Sequence, residues 1–427
     1  MLSKIEVKNF RILKYISQPL DRFQILVGAN ATGKTTFLDV VSLVSDVLNK
    51  GIDEAITVRS ANFDDLTWAN GGGNIEIALE LLLPSTIQQQ LGENKHFDTI
   101  RYELTIGIHD TKKEIGILGE RALLLNAKLL DTPTEVRELF PNYTPSNVAI
   151  CNKKYKNTKN NTTHKTILNK KIDGNDSFYP ELYEKNGSGG WLPSFKLGHK
   201  KSALANLPAD EEKFPALNWL KEYLNNGVQL LMLNSLKIRE ASRPGLGKVF
   251  KNDGANLPWV IENLQKQHPD LFKDWIRHLQ TGLPDIQNIT IHEIADNKHK
   301  YLKIHYNNAI EVPSWMASDG TLRLLALTLL AYLPDFKGTY LIEEPENGIH
   351  PKAMETVFDS LVSIYDAQIL LASHSAIFLS IAELKHLLCF AKTQEGIADI
   401  VKGNEHPRLK NWKGEVNLSL FFAGGVL

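Results

Sequence analysis

Cysteine is nearly absent from this chain. Only Cys151 and Cys389 occur, which leaves neither a disulfide framework nor a zinc site and points to a reducing cytoplasm. Long apolar runs are absent too, and none reaches the ~18 residues of a membrane span. Residues 324–333 are strongly apolar but too short, and read as a buried helix. Neither charge sign dominates: the formal net charge is -1, so any nucleic-acid footprint must be local. The first seven residues alternate like a strand and lack a signal-peptide core. Internal repeats and sustained heptads are also missing, which excludes a long coiled-coil arm. What remains is a chain of 427 residues with 43% hydrophobic and 23% charged content, enough for a large core and two or three domains.

Gly28-Ala29-Asn30-Ala31-Thr32-Gly33-Lys34-Thr35 fits the phosphate-loop pattern G-x-x-x-x-G-K-[ST]. The apolar run 23–27 before it reads as a buried strand. Phe37, Leu38, Val40, Val41, Val44, Val47 and Leu48 after it recur at helical spacing. Gly28 and Gly33 let the backbone turn its N–H groups toward a phosphate, and the helix start adds partial positive charge. Lys34 can reach the β and γ phosphates, the Thr35 hydroxyl can ligate Mg²⁺, and Asn30 and Thr36 complete the stretch.

Residues 3–10 alternate as a first strand ending at Asn9-Phe10-Arg11, with Ile5, Val7 and Phe10 on one side and Lys4, Glu6 and Lys8 on the other. Arg11 either lies against a nucleotide or is a solvated surface arginine. Residues 74–81, 101–108 and 114–125 suggest an antiparallel sheet. From 131 the character changes. Residues 152–171 carry seven lysines and no acid, with Tyr155 among them, and Gly187-Ser188-Gly189-Gly190 and Trp191 follow in a loop. The stretch reads as an insertion, its lysines either solvated or holding a phosphate backbone. Order resumes near Phe214, with helices expected around 217–224, 259–267 and 271–279. Strands are expected at 228–233, 286–293 and 301–306.

Ser318-Asp319-Gly320 precedes the apolar helix 322–333 and alone is a helix-capping turn. The strand 338–344 ends in Glu343 and Glu344, whose side chains alternate to opposite faces. Glu343 can hold the Mg²⁺ shell, and Glu344 can orient or deprotonate water. After a turn at Pro345 and a helix, the strand 368–372 ends in Ser373-His374-Ser375. His374 there is placed to sense a γ-phosphate.

Asn9-Phe10-Arg11, GANATGKTTF, SDGTLRLLAL, YLIEEPENGIHP and ILLASHS together resemble the ordered motifs of ABC-class ATPases of the SMC/RecF type, especially compact bacterial ATPases related to OLD-family proteins. The resemblance covers the first ~110 residues and about 230 to 380. It implies an α/β P-loop NTPase of ABC type, with a mixed-sheet core, an antiparallel N-terminal sheet and an inserted lid. The domains expected are 1–130, 131–227 and 228–427. It implies ATP and Mg²⁺, with Thr35 and Glu343 at the metal, Glu344 and His374 catalytic, and Arg11 at the nucleotide. It also implies that Ser318 and Gly320 close over the γ-phosphate bound by another copy in a homodimer or higher homo-oligomer. OLD proteins carry a nuclease domain, but no nuclease-type acid cluster is seen here, and His350 and His406 are isolated. The expected function is therefore an ATP-driven switch controlling a separate toxin or nuclease in antiphage defence, with no membrane role. The alternatives are a DNA-repair ATPase binding duplex through the lysine-rich insertion, and a slow-turnover scaffold holding a partner.

Overall fold

A computed structural model of the chain describes residues 1–94, 96–130, 137–142, 149–155, 162–182, 194–208 and 210–409. The expected loop at Gly187 to Gly190, Trp191, Lys156, Lys159 and the tail 410–427 lie outside the described residues.

In chain order the strands are β1 (Leu2–Phe10), β2 (Leu13–Pro19), β3 (Phe23–Gly28), β4 (Ile75–Leu82), β5 (Thr99–Ile108), β6 (Ile115–Leu125), β7 (His164–Lys171), β8 (Asp176–Phe178), β9 (Ser194–Phe195), β10 (Val228–Leu231), β11 (Ile286–Glu293), β12 (Lys300–Tyr306), β13 (Glu311–Pro313), β14 (Thr339–Glu343), β15 (Gln368–Ala372), β16 (Leu387–Lys392) and β17 (Ala398–Lys402). The helices are α1 (Lys34–Lys50), α2 (Ile52–Thr57), α3 (Ser85–Gln90), α4 (Pro215–Asn226), α5 (Ser235–Arg239), α6 (Leu257–Gln267), α7 (Pro269–Gly282), α8 (Asp319–Leu329), α9 (Pro351–Val362) and α10 (Ala376–Ile381).

The described residues form two compact units. The first takes 1–21, 28–228 and 388–409; the second takes 22–27 and 229–387. A chain break between units falls after Val228, and none falls at 131.

In the first unit an antiparallel sheet runs β2-β1-β4-β5-β6-β7-β8-β9. The segment read as an irregular insertion thus supplies three strands of that sheet. Its period-2 signal is hidden by a register shift in β7 opposite Ala122 and Leu123. Glu6, on the side of β1 opposite Ile5 and Val7, is only 4% exposed. The reason is Arg101 on β5, fully buried, whose guanidinium meets Glu6 at 2.5 Å, Glu80 at 2.7 Å and Glu103 at 2.8 Å. The segment 149–152 covers these charges. Ile150 N and Cys151 N donate to Glu76, and Asn152 N donates to Glu103. Burial alone would raise the Glu6 carboxyl, but the Arg101 guanidinium holds it down at about 2. The other cysteine is equally inert: burial pushes the Cys389 thiol up to about 12.

Helix α1 buries Phe37 and Leu38 and most of its apolar side chains, with Phe37 edge-on to Phe390 of β16 at 5.6 Å. Helix α4 starts at Pro215, and Glu181 caps it by accepting from Ala216 N at 2.6 Å and Leu217 N at 2.9 Å. Burial raises that carboxyl to about 7.

In the second unit the strand order is β10-β14-β15-β3, with β14, β15 and β3 parallel. These parallel strands are almost wholly buried and read as continuous apolar runs. Phe23 of β3, Phe358 of α9 and Phe378 of α10 form an aromatic chain at 5.7 Å spacings. Trp275 of α7 donates to Thr328 of α8 at 3.0 Å, the hydrogen bond that lets this large side chain sit fully buried. A small antiparallel sheet, β11-β12-β13, completes the unit. Among the described residues no helix is long and apolar enough to cross a membrane.

Arg101→Met should leave Glu6, Glu80 and Glu103 crowded and uncompensated, costing about 3–5 kcal/mol in urea unfolding. Glu6 is ionised more easily in the folded chain than in the unfolded one. Its contribution of about 3 kcal/mol is therefore present above its ordinary 4.5 and lost as pH falls toward 2. The variant should lose that part of the acid slope.

Candidate active site

Strand β3 delivers the chain to Gly28, whose φ is +146°, and a Cβ there would lie 2.2 Å from the Phe390 carbonyl oxygen. Only glycine fits. Ala31 also adopts a left-handed φ of 59°, and Gly33 follows at 105°, so the backbone folds into a concave turn of the kind that gathers N–H groups around an anion. Helix α1 begins without a side-chain cap and without an acid in its first turn. This is the arrangement in which a helix N-terminus receives an anion. Thr32 Oγ1 braces the loop by donating to Ala29 O at 2.9 Å. Lys34 is 6% exposed, and its Nζ donates to Gly28 O at 2.8 Å and Ala29 O at 2.9 Å. The ammonium thus lies across the loop it follows. Asn30 and Thr35 are exposed, and Thr36 is half-buried. This set fits a triphosphate with Mg²⁺ in donor type: backbone amides, one lysine and an accessible hydroxyl.

Arg11 is not simply solvated. Its N–H donates to Leu66 O at 2.8 Å, and its guanidinium pairs with Asp39 of α1 at 3.2 Å. Arg59 binds the same Asp39 at 2.7 Å and Asp46 at 2.8 Å. Arg11 is thereby anchored on the flank of the helix that Lys34 starts.

In the second unit Glu343 is in register with Ala372, and Ala372 with Leu26. The carboxylates, the Ser373-His374 turn and Val27 at the end of β3 therefore all lie at the carboxyl ends of neighbouring parallel strands of this unit. In open α/β sheets this is the edge at which ligands bind. The two acids differ more than simple alternation implies. The strand ends at half-buried Glu343, and Glu344 turns out of it with φ 45° and is exposed. A non-glycine residue in that region is strained. It is held by Glu344 N donating to Ala372 O at 2.8 Å and by Asn347, whose side chain donates to Glu344 Oε2 at 2.7 Å.

Sequence reasoning missed Glu346. It was read only as part of a turn, but its Oε1 accepts from Ser373 Oγ at 2.9 Å and from His374 N at 2.7 Å. The glutamate in the turn after one strand thus sets the backbone that carries the histidine after the next. Its only sequence signal is an acid two residues past Glu344.

Ser318 is exposed and caps α8, accepting from Thr321 N at 3.1 Å. Asp319 pairs with Arg239 at 2.8 Å. Gly320 is needed for a close approach, because a Cβ there would meet the Gly348 carbonyl oxygen at 2.3 Å. The start of α8 is therefore packed directly on the turn that follows Glu344. Among the described residues no group of three or more His, Cys, Asp or Glu side chains is gathered that could hold a metal ion.

Glu346→Ala should lower ATP turnover ~10-fold, the scale of one or two charge-assisted hydrogen bonds, and leave ATP affinity intact. Glu346→Gln, which keeps an acceptor, should lose less. Steady-state hydrolysis beside equilibrium nucleotide binding checks both.

No curated protein matches the chain. Among solved structures it is similar to an SMC head bound to the C-winged helix domain of ScpA, at 13% identity over 94% of this chain and 97% of that one, with a TM-score of 0.51. An SMC head with an extended coiled coil, bound to the C-terminal domain of ScpA from Pyrococcus furiosus, matches at 12% identity over 94% and 95% with a TM-score of 0.47. The SMC head domain from Thermotoga maritima matches at 10% identity over 94% and 98% with a TM-score of 0.41. At 13% identity the first likeness shows the fold, that of an SMC-type P-loop ATPase head. A family model spans residues 23–380, from the start of β3 through the Ser373-His374 turn into α10. With both the strand under the phosphate loop and the strands under the carboxylates and the histidine inside that span, the chain belongs to the family described as "AAA domain, putative AbiEii toxin, Type IV TA system".

Proposed function

We propose that this protein is a Mg²⁺-dependent ATPase that closes on itself as a dimer and thereby switches a separate effector, a toxin or nuclease, in antiphage defence. The observation that carries the reading is the register of β14, β15 and β3, which lines up Glu343, the Ser373-His374 turn and the strand leading to the phosphate loop. The loop amides and Lys34 bind the phosphates, and Arg11 lies beside the nucleotide. Thr35 and Glu343 hold Mg²⁺, which neutralises charge on the phosphate oxygens. Glu344, exposed on its turn, accepts a proton from and orients the attacking water. His374, on the backbone that Glu346 holds, donates to the γ-phosphate and reports its loss.

Ser318 and Gly320 act on the nucleotide of a second copy in this reading. Exposure of Ser318 supports it, since a cap residue that also faces outward can serve a partner. The family description, which names a toxin–antitoxin system, supports the link to an effector, and the cytoplasm is the compartment in which such a partner would be met.

Lys34→Ala should abolish ATP binding. Glu344→Gln should leave binding intact and slow turnover ~10²-fold or more, as loss of a positioned base does; normal turnover in that variant would overturn the role. Sharing of the site between copies is read by mixing. Lys34→Ala and Ser318→Ala chains, each inactive alone, should recover roughly a quarter of wild-type turnover when combined, because random pairing leaves one complete site in half of the dimers. No recovery would mean that each copy works on its own nucleotide.

A further inference from the structure

In the second unit a recess of about 310 Å³ is lined by residues of β10, α6, the link from α8 to β14, the start of β14 and the segment 248–250. Its volume is at the lower end of the range of small-molecule sites. All of its lining falls within 229–340, so it belongs to that unit alone. The wall formed by 248–250 is fixed by hydrogen bonds. Asn256, fully buried just before α6, donates from Nδ2 to Gly247 O at 3.0 Å and to Val249 O at 2.7 Å, and its Oδ1 accepts from Lys251 N at 3.0 Å. Just past β10, Met232 N donates to Asn252 O at 2.9 Å. The recess is thus bordered by backbone held in place before any ligand arrives.

Most of the lining is apolar, with Phe250, Val260, Leu264, Leu333 and Phe336 among it. The Phe336 and Tyr340 rings lie 4.2 Å apart and make one aromatic wall. Two polar side chains interrupt it. Gln229 is 8% exposed, and its Oε1 is buried with no hydrogen-bond partner. Tyr340 is 1% exposed, and its hydroxyl makes no hydrogen bond among the described residues. Buried polar groups are normally paired, and an unpaired one carries the full cost of leaving water. Burial also raises the pKa of the Tyr340 hydroxyl, which therefore keeps its proton and can donate. Half-buried Asn263 adds a further amide without a hydrogen bond among the described residues. Lys248 and Asp335, exposed and opposite in sign, leave the lining without a dominant charge.

We infer that this recess is a ligand site, sharing no residue with the candidate active site, for an uncharged nitrogen heteroaromatic ring of the purine kind. A ring N–H donates to Gln229 Oε1, a ring nitrogen accepts from the Tyr340 hydroxyl, and the ring packs against the aromatic wall. A purely apolar occupant would leave both polar groups unpaired, and an anion would find an acid as well as a lysine at the lining.

The test uses the full chain saturated with a non-hydrolysable ATP analogue, so that purine does not report on the phosphate-loop site. Calorimetry measures purine and indene, a fused ring pair of similar shape with no nitrogen. Purine should bind the wild-type chain, and Gln229→Met and Tyr340→Phe should each weaken it ~10-fold, the scale of one buried hydrogen bond. Neither change should weaken indene. Thermal unfolding of the free chain separates this from a structural role, because Gln229→Met removes an unpaired polar group and should not lower the midpoint. Absence of purine binding, unchanged purine affinity in either variant, equal weakening of purine and indene, or a lowered midpoint in Gln229→Met would each overturn the site. Failure of the ATPase reading would show instead in Glu344→Gln, which these measurements do not involve.

Discussion

The in-register parallel pairing of β3, β15 and β14 is the constraint on which the candidate site depends. Parallel strands can meet only after long crossover connections, so residues 26, 343 and 372 become neighbours although hundreds of positions separate the first from the others. The reward is that all three strands end on the same edge. Everything chemically interesting then follows in the turns beyond that edge, where the backbone is free of ladder bonds and can take unusual conformations. Gly28, Ala31 and Glu344 all do so. Strain at these points is sustained by the rigid, buried strands beneath them.

The first unit answers a different problem. Its antiparallel sheet carries charges on a face that is covered rather than open to water. Arg101 resolves the conflict by serving several carboxylates at once; one of them, Glu103, accepts the Asn152 N–H of the segment that covers them, and Arg101 itself donates to the Ile150 carbonyl there. The network is thus both a charge balance and a clasp. Glu120 plays the same part further along, accepting from Tyr102, Ser202, Ala203 N and Leu204 N in full burial. Buried acids in this protein are mostly ties between segments.

Much of this was legible from residues alone, because local chemistry demanded it. The phosphate loop, the strand before it, the helix after it and the order of the later motifs each need particular residue types at particular spacings, and the folded chain has them in those elements. The split of the amphipathic helices at Pro269 was equally plain, since proline starts α7. What escaped reading depends on contacts distant in sequence. The burial of Glu6 depends on Arg101, far along the chain on β5. The strands β7 to β9 looked like an irregular lysine-rich loop, because a register shift erases their alternation and Lys170 is neutralised by Asp176. Glu346 looked like a turn residue because its partners lie at Ser373 and His374. The position of Glu344 off the strand needed the Asn347 bond to be visible.

The near-contact of Gly320 with the Gly348 carbonyl has a mechanical meaning. With no side chain between them, the start of α8, where Ser318 is exposed, and the turn that follows Glu344 behave as one stiff lever, with no soft layer to absorb a displacement. A shift of that turn would tilt the surface around Ser318 with it. The fold thereby makes two distant turns move together, using nothing more than two backbones brought too close for any residue but glycine.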